Sequence, residues 1–176
     1  MSSRTVSFMN PFPSMNDSIS SGVGTCHLLK SCISWNFFEA FLNSGLAFRL
    51  IFDGSALIGR HTRIDEYTKI KDSNIDNFCI IGNNVTIENS AIMDAAKIGD
   101  YTQVSNSILG RKVIVESSKK NPTRIHSTSV IGNSVQIMEG CDIRSTKINP
   151  GLIIPRNMRY RNEFLHNYED VVKLAI

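Results

Sequence analysis

Between residues 58 and 115, an isoleucine, valine or leucine recurs at every fifth or sixth position, and the residues between are mostly polar. The gaps repeat as 6, 6 and 5, so one cycle spans 17 residues. This interval matches neither the period of a helix nor the alternation of an ordinary strand. Three columns of aliphatic residues predict a chain that turns a corner after each short strand, which is the pattern of a triangular parallel β-helix. The first column contains Ile64, Ile81, Ile98 and Val115, the second Ile70, Ile87 and Val104, and the third Ile75, Ile92 and Leu109.

The pattern resumes after one interruption. The step from Val115 to Ile125 is ten residues where six are expected, so about four extra residues within 116–124 should bulge out at one corner. We expect this corner insertion to be the only irregularity. The remaining column residues are Ile125, Ile131, Ile137, Ile143, Ile148 and Ile154. The predicted fold is an all-β solenoid of about six 17-residue coils over residues 51–160.

Residues at the corners follow the same repeat. Glycines directly after column residues, such as Gly59, Gly82 and Gly99, fall where tight bends favour residues that tolerate positive φ. A compact residue comes four positions after many of the inward aliphatics and should fill the narrowing corner. These compact residues are Thr62, Thr68, Cys79, Val85, Ala96, Thr102, Ser129, Val135 and Cys141.

Both ends of the column need covers. Residues 31–50 predict a linker or capping helix, N-capped by Ser34 and stopped by Gly45. Residues 161–176 predict a second capping helix, because apolar residues including Phe164 and Tyr168 recur there at helical spacing. Residues 1–30 have no periodicity and are rich in serine, which is typical of a disordered or poorly ordered tail.

Composition and charge exclude several classes of function. The 176 residues carry a net charge of +3 without a basic stripe, so we expect no nucleic acid partner. No apolar run approaches the roughly 18 residues of a membrane span, and no secretory leader pattern opens the chain, so we expect a cytoplasmic protein without a membrane partner. The four cysteines lack paired spacing, which favours reduced core residues over a disulfide framework or a zinc site.

Two stretches carry a family resemblance over roughly residues 25–162. "SWNFFEAFLNSG", beginning at Ser34, followed by the repeats from Ile58 to Val115, resembles the C-terminal part of sugar-1-phosphate nucleotidylyltransferases. In that family a helix with a W-x-x-x-E-A-like motif, matched here by Trp35, Glu39 and Ala40, joins the catalytic domain to the β-helix. The resemblance implies a left-handed winding and a trimeric assembly.

The catalytic domain of that family has no counterpart in this sequence. "SGVGTC", residues 21–26, only faintly echoes its phosphate loop, because no apolar strand precedes it. We therefore expect a non-catalytic oligomerisation or regulatory β-helix module that requires no cofactor. It would act as a homo-oligomer or with a separate nucleotidylyltransferase subunit. The alternative is a hexapeptide-repeat acyltransferase that uses acetyl-CoA.

Candidate site residues follow from that alternative. His126 is the candidate catalytic base, with His61 as the other histidine on the β-helix. Lys119, Lys120 and Arg124, in or beside the corner insertion, are candidate ligands for the phosphates of a CoA or nucleotide. We favour the simpler interpretation of the same lysines, which is a solvated loop. His61, His126 and His166 lack the spacing of a zinc site, so we expect no metal.

Outward apolar side chains favour contact with another chain. Phe78, Met93, Met138 and Leu152 fall at positions that do not belong to the columns. We therefore expect a homo-oligomer.

Overall fold

The structure, a computed structural model, describes residues 50–173. It is a parallel β-solenoid of about seven turns, which confirms the predicted fold class. The predicted tail (1–30) and the W-x-x-x-E-A-like helix lie outside the described residues. The left-handed winding stays a prediction.

Short parallel strands form three faces. Two longer strands, β1 (Ile51–Ile58) and β3 (Lys69–Ile75), each run around the corner from the second face to the third. The first face contains β2 (Arg63–Ile64), β4 (Ile80–Ile81), β7 (Lys97–Ile98), β10 (Ile114–Val115), β13 (Gln136–Ile137) and β16 (Ile153–Ile154). The second contains β1 (Ile51–Ile58), β3 (Lys69–Ile75), β5 (Thr86–Glu88), β8 (Gln103–Ser105), β11 (Arg124–His126), β14 (Asp142–Arg144) and β17 (Arg159–Arg161). The third contains the ends of β1 and β3, then β6 (Ala91–Ile92), β9 (Ile108–Leu109), β12 (Val130–Ile131), β15 (Lys147–Ile148) and β18 (Phe164–Leu165).

The core lies inside the prism and consists of the predicted columns. Ile64 pairs with Ile81, which pairs with Ile98, so the 17-residue register is confirmed. The column residues from Ile64 to Ile154 are at most 3% exposed, and the predicted compact corner residues are at most 1% exposed. Leu152, expected to face outward, also occupies a compact corner position and is only 5% exposed. That expectation was wrong, because position 152 lies four residues after the inward Ile148.

Crowding between coils, and not positive φ, explains the glycines that follow the columns. An added Cβ on Gly59 would lie 2.5 Å from the backbone nitrogen of Asn77, and one on Gly82 would lie 2.9 Å from that of Asp100. Neither glycine has a positive φ. Non-glycine residues such as Phe78 and Ala95 adopt positive φ instead, directly before the compact corner residues.

The prism has three irregularities where one was expected. Four extra residues lie between β10 and β11, because Gln103 pairs with Arg124. A fifth extra residue lies after His126, where Ser127 and Thr128 both adopt positive φ. The third is a register shift in β1 between Asp53 and Ala56, where Gly54 has a φ of 75° and Asp72 accepts a hydrogen bond from the Ser55 amide at 3.0 Å.

The solenoid continues further than the sequence indicates. Tyr160 and Leu165 extend the second and third columns and are buried. Their strands, β17 and β18, take up part of residues 161–176, where a helix was expected. The helix, α1, covers only Tyr168–Lys173. Val171 is buried, and its carbonyl accepts a hydrogen bond from the Tyr160 hydroxyl at 3.3 Å. Phe164 belongs to β18 and is 48% exposed, so its assignment to the helix was wrong.

Candidate functional site

The candidate base His126 lies on β11, in the second face, and its side chain is largely covered. Its Nε2 lies 2.8 Å from Oδ1 of Asp142 on the next coil, and its Nδ1 lies 3.1 Å from Oγ of Ser127. The exposed fractions of the two paired side chains are 22% for the histidine and 31% for the aspartate. The inward Ile125 between Arg124 and His126 fixes both flanking side chains on the outer surface.

The hydrogen-bond partners determine the tautomer of His126. A carboxylate only accepts hydrogen bonds, so Nε2 carries the hydrogen that Asp142 accepts. The lone pair of Nδ1 then accepts from the Ser127 hydroxyl. A substrate proton would have to reach Nδ1, the nitrogen beside Ser127, because Nε2 is already protonated.

Of the candidate phosphate ligands, Arg124 shares a strand and a face with His126, whereas the two lysines lie in the loop. Lys119 and Lys120 are exposed in the loop between β10 and β11, and Arg124 faces outward on β11. Within residues 50–173, no hydrogen bond or ion pair joins either lysine to His126. The loop is ordered by its own contacts, because the Thr123 hydroxyl donates to the Glu116 carbonyl at 2.7 Å and the Ser118 hydroxyl donates to Glu139 at 2.9 Å.

Arg124 and three arginines that were not candidates, Arg144, Arg159 and Arg161, lie on the same face as His126. In β14, Asp142 pairs in register with Arg124 on one side and with Arg159 on the other. His126, Arg144 and Arg161 form the parallel outer row. The 17-residue register alone would not have found Arg144 beside His126, because the extra residue after His126 makes that step 18 residues; only Arg144 and Arg161 are one regular cycle apart.

A shallow groove of about 570 Å³ runs along the third face beside its corner with the second. One wall is mostly apolar: Leu57, Ala91, Ile108 and Val130 belong to one row in register, which Asn74 interrupts between Leu57 and Ala91. The other wall is a polar ladder at the corner. Its members include Asp72, Asn89 and Asn106 with positive φ, and the buried Ser73, Ser90 and Ser107.

The three serines of this ladder make hydrogen bonds within and between the coils. The Ser90 amide donates to Oγ of Ser73 at 3.1 Å, and the Ser107 amide donates to Oγ of Ser90 at 3.2 Å. Each of these hydroxyls also donates to a backbone carbonyl two residues earlier on its own coil. The hydroxyl hydrogens of all three are therefore committed to the backbone.

The other histidines and cysteines of residues 50–173 occupy structural positions. His61 stacks on Phe78 of the next coil with ring centroids 5.2 Å apart, and His166 lies against Phe164 at 3.7 Å. Cys79 and Cys141 are free and buried, and burial raises the pKa of both thiols. Among the described residues, no three histidine, cysteine or acidic side chains converge as metal ligands. In the same part of the chain, no helix has the length and apolarity needed to cross a membrane.

Coils stacked at a 17-residue register define a β-helix of the hexapeptide class. A family model described as the GMPPB C-terminal domain matches residues 52–164. The chain belongs to this family, which is the C-terminal β-helix region of sugar nucleotidylyltransferases. A comparison with curated proteins found no match.

Solved structures with this fold include enzymes that transfer acyl groups. AntD, an N-acyltransferase from Bacillus cereus solved with dTDP and coenzyme A, is 14% identical over 73% of this chain and 84% of its own, with a TM-score of 0.45. PerB from Caulobacter crescentus, solved with CoA and GDP-perosamine, is 14% identical over 64% of this chain, with a TM-score of 0.38. The match spans only 50% of PerB. These similarities concern the fold alone and carry no argument about activity.

Proposed function

We propose that the chain is a non-catalytic β-helix module of nucleotide-sugar metabolism that assembles through its third face. Its membership of a family of nucleotidylyltransferase C-terminal regions supports this role. The assembly is a homo-oligomer, for which the resemblance implies a trimer. A separate nucleotidylyltransferase chain is the alternative partner.

The observation that carries the proposal is the apolar row on the third face. Leu57 is 47% exposed, Ile108 is 44% exposed and Val130 is 38% exposed, and Ala91 lies in register with Ile108. The exposed Asn74 separates Leu57 from Ala91. Neighbouring coils are about 4.8 Å apart, so the uninterrupted part of the row, from Ala91 to Val130, extends over about 10 Å of sheet. An apolar strip beside a polar corner is typical of a surface that packs on another chain.

Substitution of Ile108 by glutamate tests the assembly. We expect the parent chain to be an oligomer at tens of micromolar by light scattering and the Ile108→Glu variant to be a monomer, because a carboxylate buried at an interface without a partner is strongly unfavourable. Gln103→Glu is the matched control, since it adds the same charge on β8, the strand that precedes β9 in the chain and belongs to the second face. A monomeric parent chain, or a variant that remains oligomeric, contradicts assembly through this face.

An acyltransferase that uses acetyl-CoA is the second candidate, and the contact between His126 and Asp142 favours it. A carboxylate that fixes a histidine ring is a recurring feature of general-base sites. Release of free CoA from acetyl-CoA in the presence of an amino sugar, if it is abolished in His126→Gln, would replace the module proposal. The lysines of the corner loop would then be expected to hold the CoA phosphates.

A further inference from the structure

The charges on the second face are arranged differently at its two ends. In the first coils every outward lysine has a partner: Lys69 Nζ lies 3.0 Å from Glu88, and Lys71 Nζ lies 3.3 Å from Asp53. These pairs leave little net positive charge at that end. The last three coils carry more cations and fewer acids.

Four exposed arginines lie on those last coils, and we call them the arginine face: Arg124, Arg144, Arg159 and Arg161. Within residues 50–173, no carboxylate lies within 4.0 Å of any of their guanidinium groups. The one outward acid in these rows is Asp142, and His126 holds it at 2.8 Å. Asp142 thus makes no salt bridge with Arg124 or Arg159, although it lies in register between them.

Protection of a sheet edge does not explain this cluster. Charged side chains on an edge strand prevent unwanted pairing, and β17 is an edge strand. That role accounts for Arg159 and Arg161. It does not account for Arg124 and Arg144, which lie on the inner strands β11 and β14.

The spacing of the arginine face fits an extended acidic chain. Adjacent strands are about 4.8 Å apart, and alternate residues on one strand are about 6.5 to 7 Å apart. The second distance is also the spacing of side chains on one side of an extended peptide. Arginine binds carboxylates through two parallel hydrogen bonds and is enriched at protein interfaces. Small-molecule sites are concave, whereas this is an open sheet surface away from the groove on the third face.

We propose that the arginine face binds an acidic segment of a partner protein whose Asp or Glu side chains alternate along an extended chain. Residues 1–49 contain only Asp17 and Glu39 as acidic residues, so they do not supply such a segment. The inference does not rest on the proposed assembly, since the arginines and the apolar row are on different faces. His126 contributes by holding the single carboxylate that would compete for the guanidinium groups.

A labelled peptide tests this binding. The probe is a ten-residue peptide of alternating glutamate and serine, with alternating glutamine and serine as the uncharged control, and binding is measured by fluorescence anisotropy. We expect the acidic peptide alone to bind, and its affinity to fall between about 0.05 and 0.15 M salt as screening increases. Arg144→Gln/Arg161→Gln should weaken binding about tenfold or more, because two charge-assisted contacts are lost.

Lys69→Gln/Lys71→Gln is the matched control, because it removes two charges from the same face at its other end. We expect less than about a twofold change, since both lysines already have carboxylate partners. Equal losses in the two variants would mean that only net charge matters and would overturn the proposal. Absence of peptide binding, or displacement of the peptide by micromolar nucleoside diphosphate or single-stranded DNA, would also overturn it. Light scattering of the same samples reports the oligomeric state separately.

Discussion

At the residue scale, the corners reverse the usual assignment of glycine and non-glycine residues. Within residues 50–173, sixteen non-glycine residues have a positive φ, among them Phe78, Ala95 and Tyr101. A left-handed conformation costs a residue with a Cβ about 1–2 kcal/mol. The stacked coils maintain this conformation because most of these corner amides are hydrogen-bonded to the preceding coil, as the Ala95 amide is to the Asn77 carbonyl at 2.9 Å. Glycine is used instead where the next coil comes too close for a Cβ.

Two opposite substitutions in one coil test this distinction. Ala95→Gly should leave stability unchanged or raise it by up to about 1 kcal/mol, because relief of the positive φ is partly offset by the entropy of glycine. Gly99→Ala should lower it by more than about 1 kcal/mol, because the new Cβ would lie 2.8 Å from the backbone nitrogen of Ser117. Urea unfolding curves measure both changes. A Gly99→Ala variant as stable as the parent would contradict the crowding argument.

At the element scale, the last position of the second column is a tyrosine, Tyr160, where the earlier coils have an aliphatic residue. Tyr160 continues the second column beyond Ile143 and is 1% exposed. Its hydroxyl donates to the carbonyl of Val171 in α1, so it links the last coil to the helix that covers it. Burial raises the pKa of Tyr160 to about 12. The neutral phenol is therefore favoured in the folded state.

This shift predicts a loss of stability at high pH. The folded-state pKa is above the ordinary value of 10, so the contribution of Tyr160 is complete below pH 10 and is lost as the pH rises through about 12. Relative to Tyr160→Phe, the parent should lose up to about 1.4 kcal/mol per pH unit in this range. Urea unfolding at a series of alkaline pH values measures the difference, with Tyr101→Phe as a control at a partly exposed phenol. Identical pH profiles for the parent and Tyr160→Phe would contradict burial of the phenol.

The columns were predictable from the sequence, and the surface around His126 was not. A change of register would place polar residues inside the prism, so Ile81 and its equivalents had to repeat strictly. Outward charges have no such constraint, and their neighbours are set by the stacking. The contact between His126 and Asp142 also depends on the extra residue at Ser127–Thr128, which shifts the second face by one position. Tyr160 was missed because an aromatic residue replaces the aliphatic one in the last coil.

At the scale of the whole molecule, each coil of the solenoid is stabilised by the coils next to it. Backbone hydrogen bonds of the strands run between neighbouring coils, as from the Ile80 amide to the Ala96 carbonyl at 2.9 Å, so each coil depends on the two beside it. In such a solenoid, a break in a central coil removes support from both halves. A break in a terminal coil affects only one side.

Introduction of a charge into the middle of the first column tests this coupling. Ile98 is 3% exposed and pairs with Ile81 on one side and Val115 on the other, so Ile98→Asp places a carboxylate without a partner between two aliphatic residues. We expect a cost comparable with the whole stability of a domain, which is about 5–15 kcal/mol, and loss of the cooperative thermal transition in circular dichroism. Lys97→Asp is the matched control, because its side chain faces outward on the same strand and should change the midpoint little. Limited proteolysis should then cut Ile98→Asp in the coils on both sides of the substitution, whereas an Ile98→Asp protein that melts with the midpoint of the parent would contradict the assignment of the column.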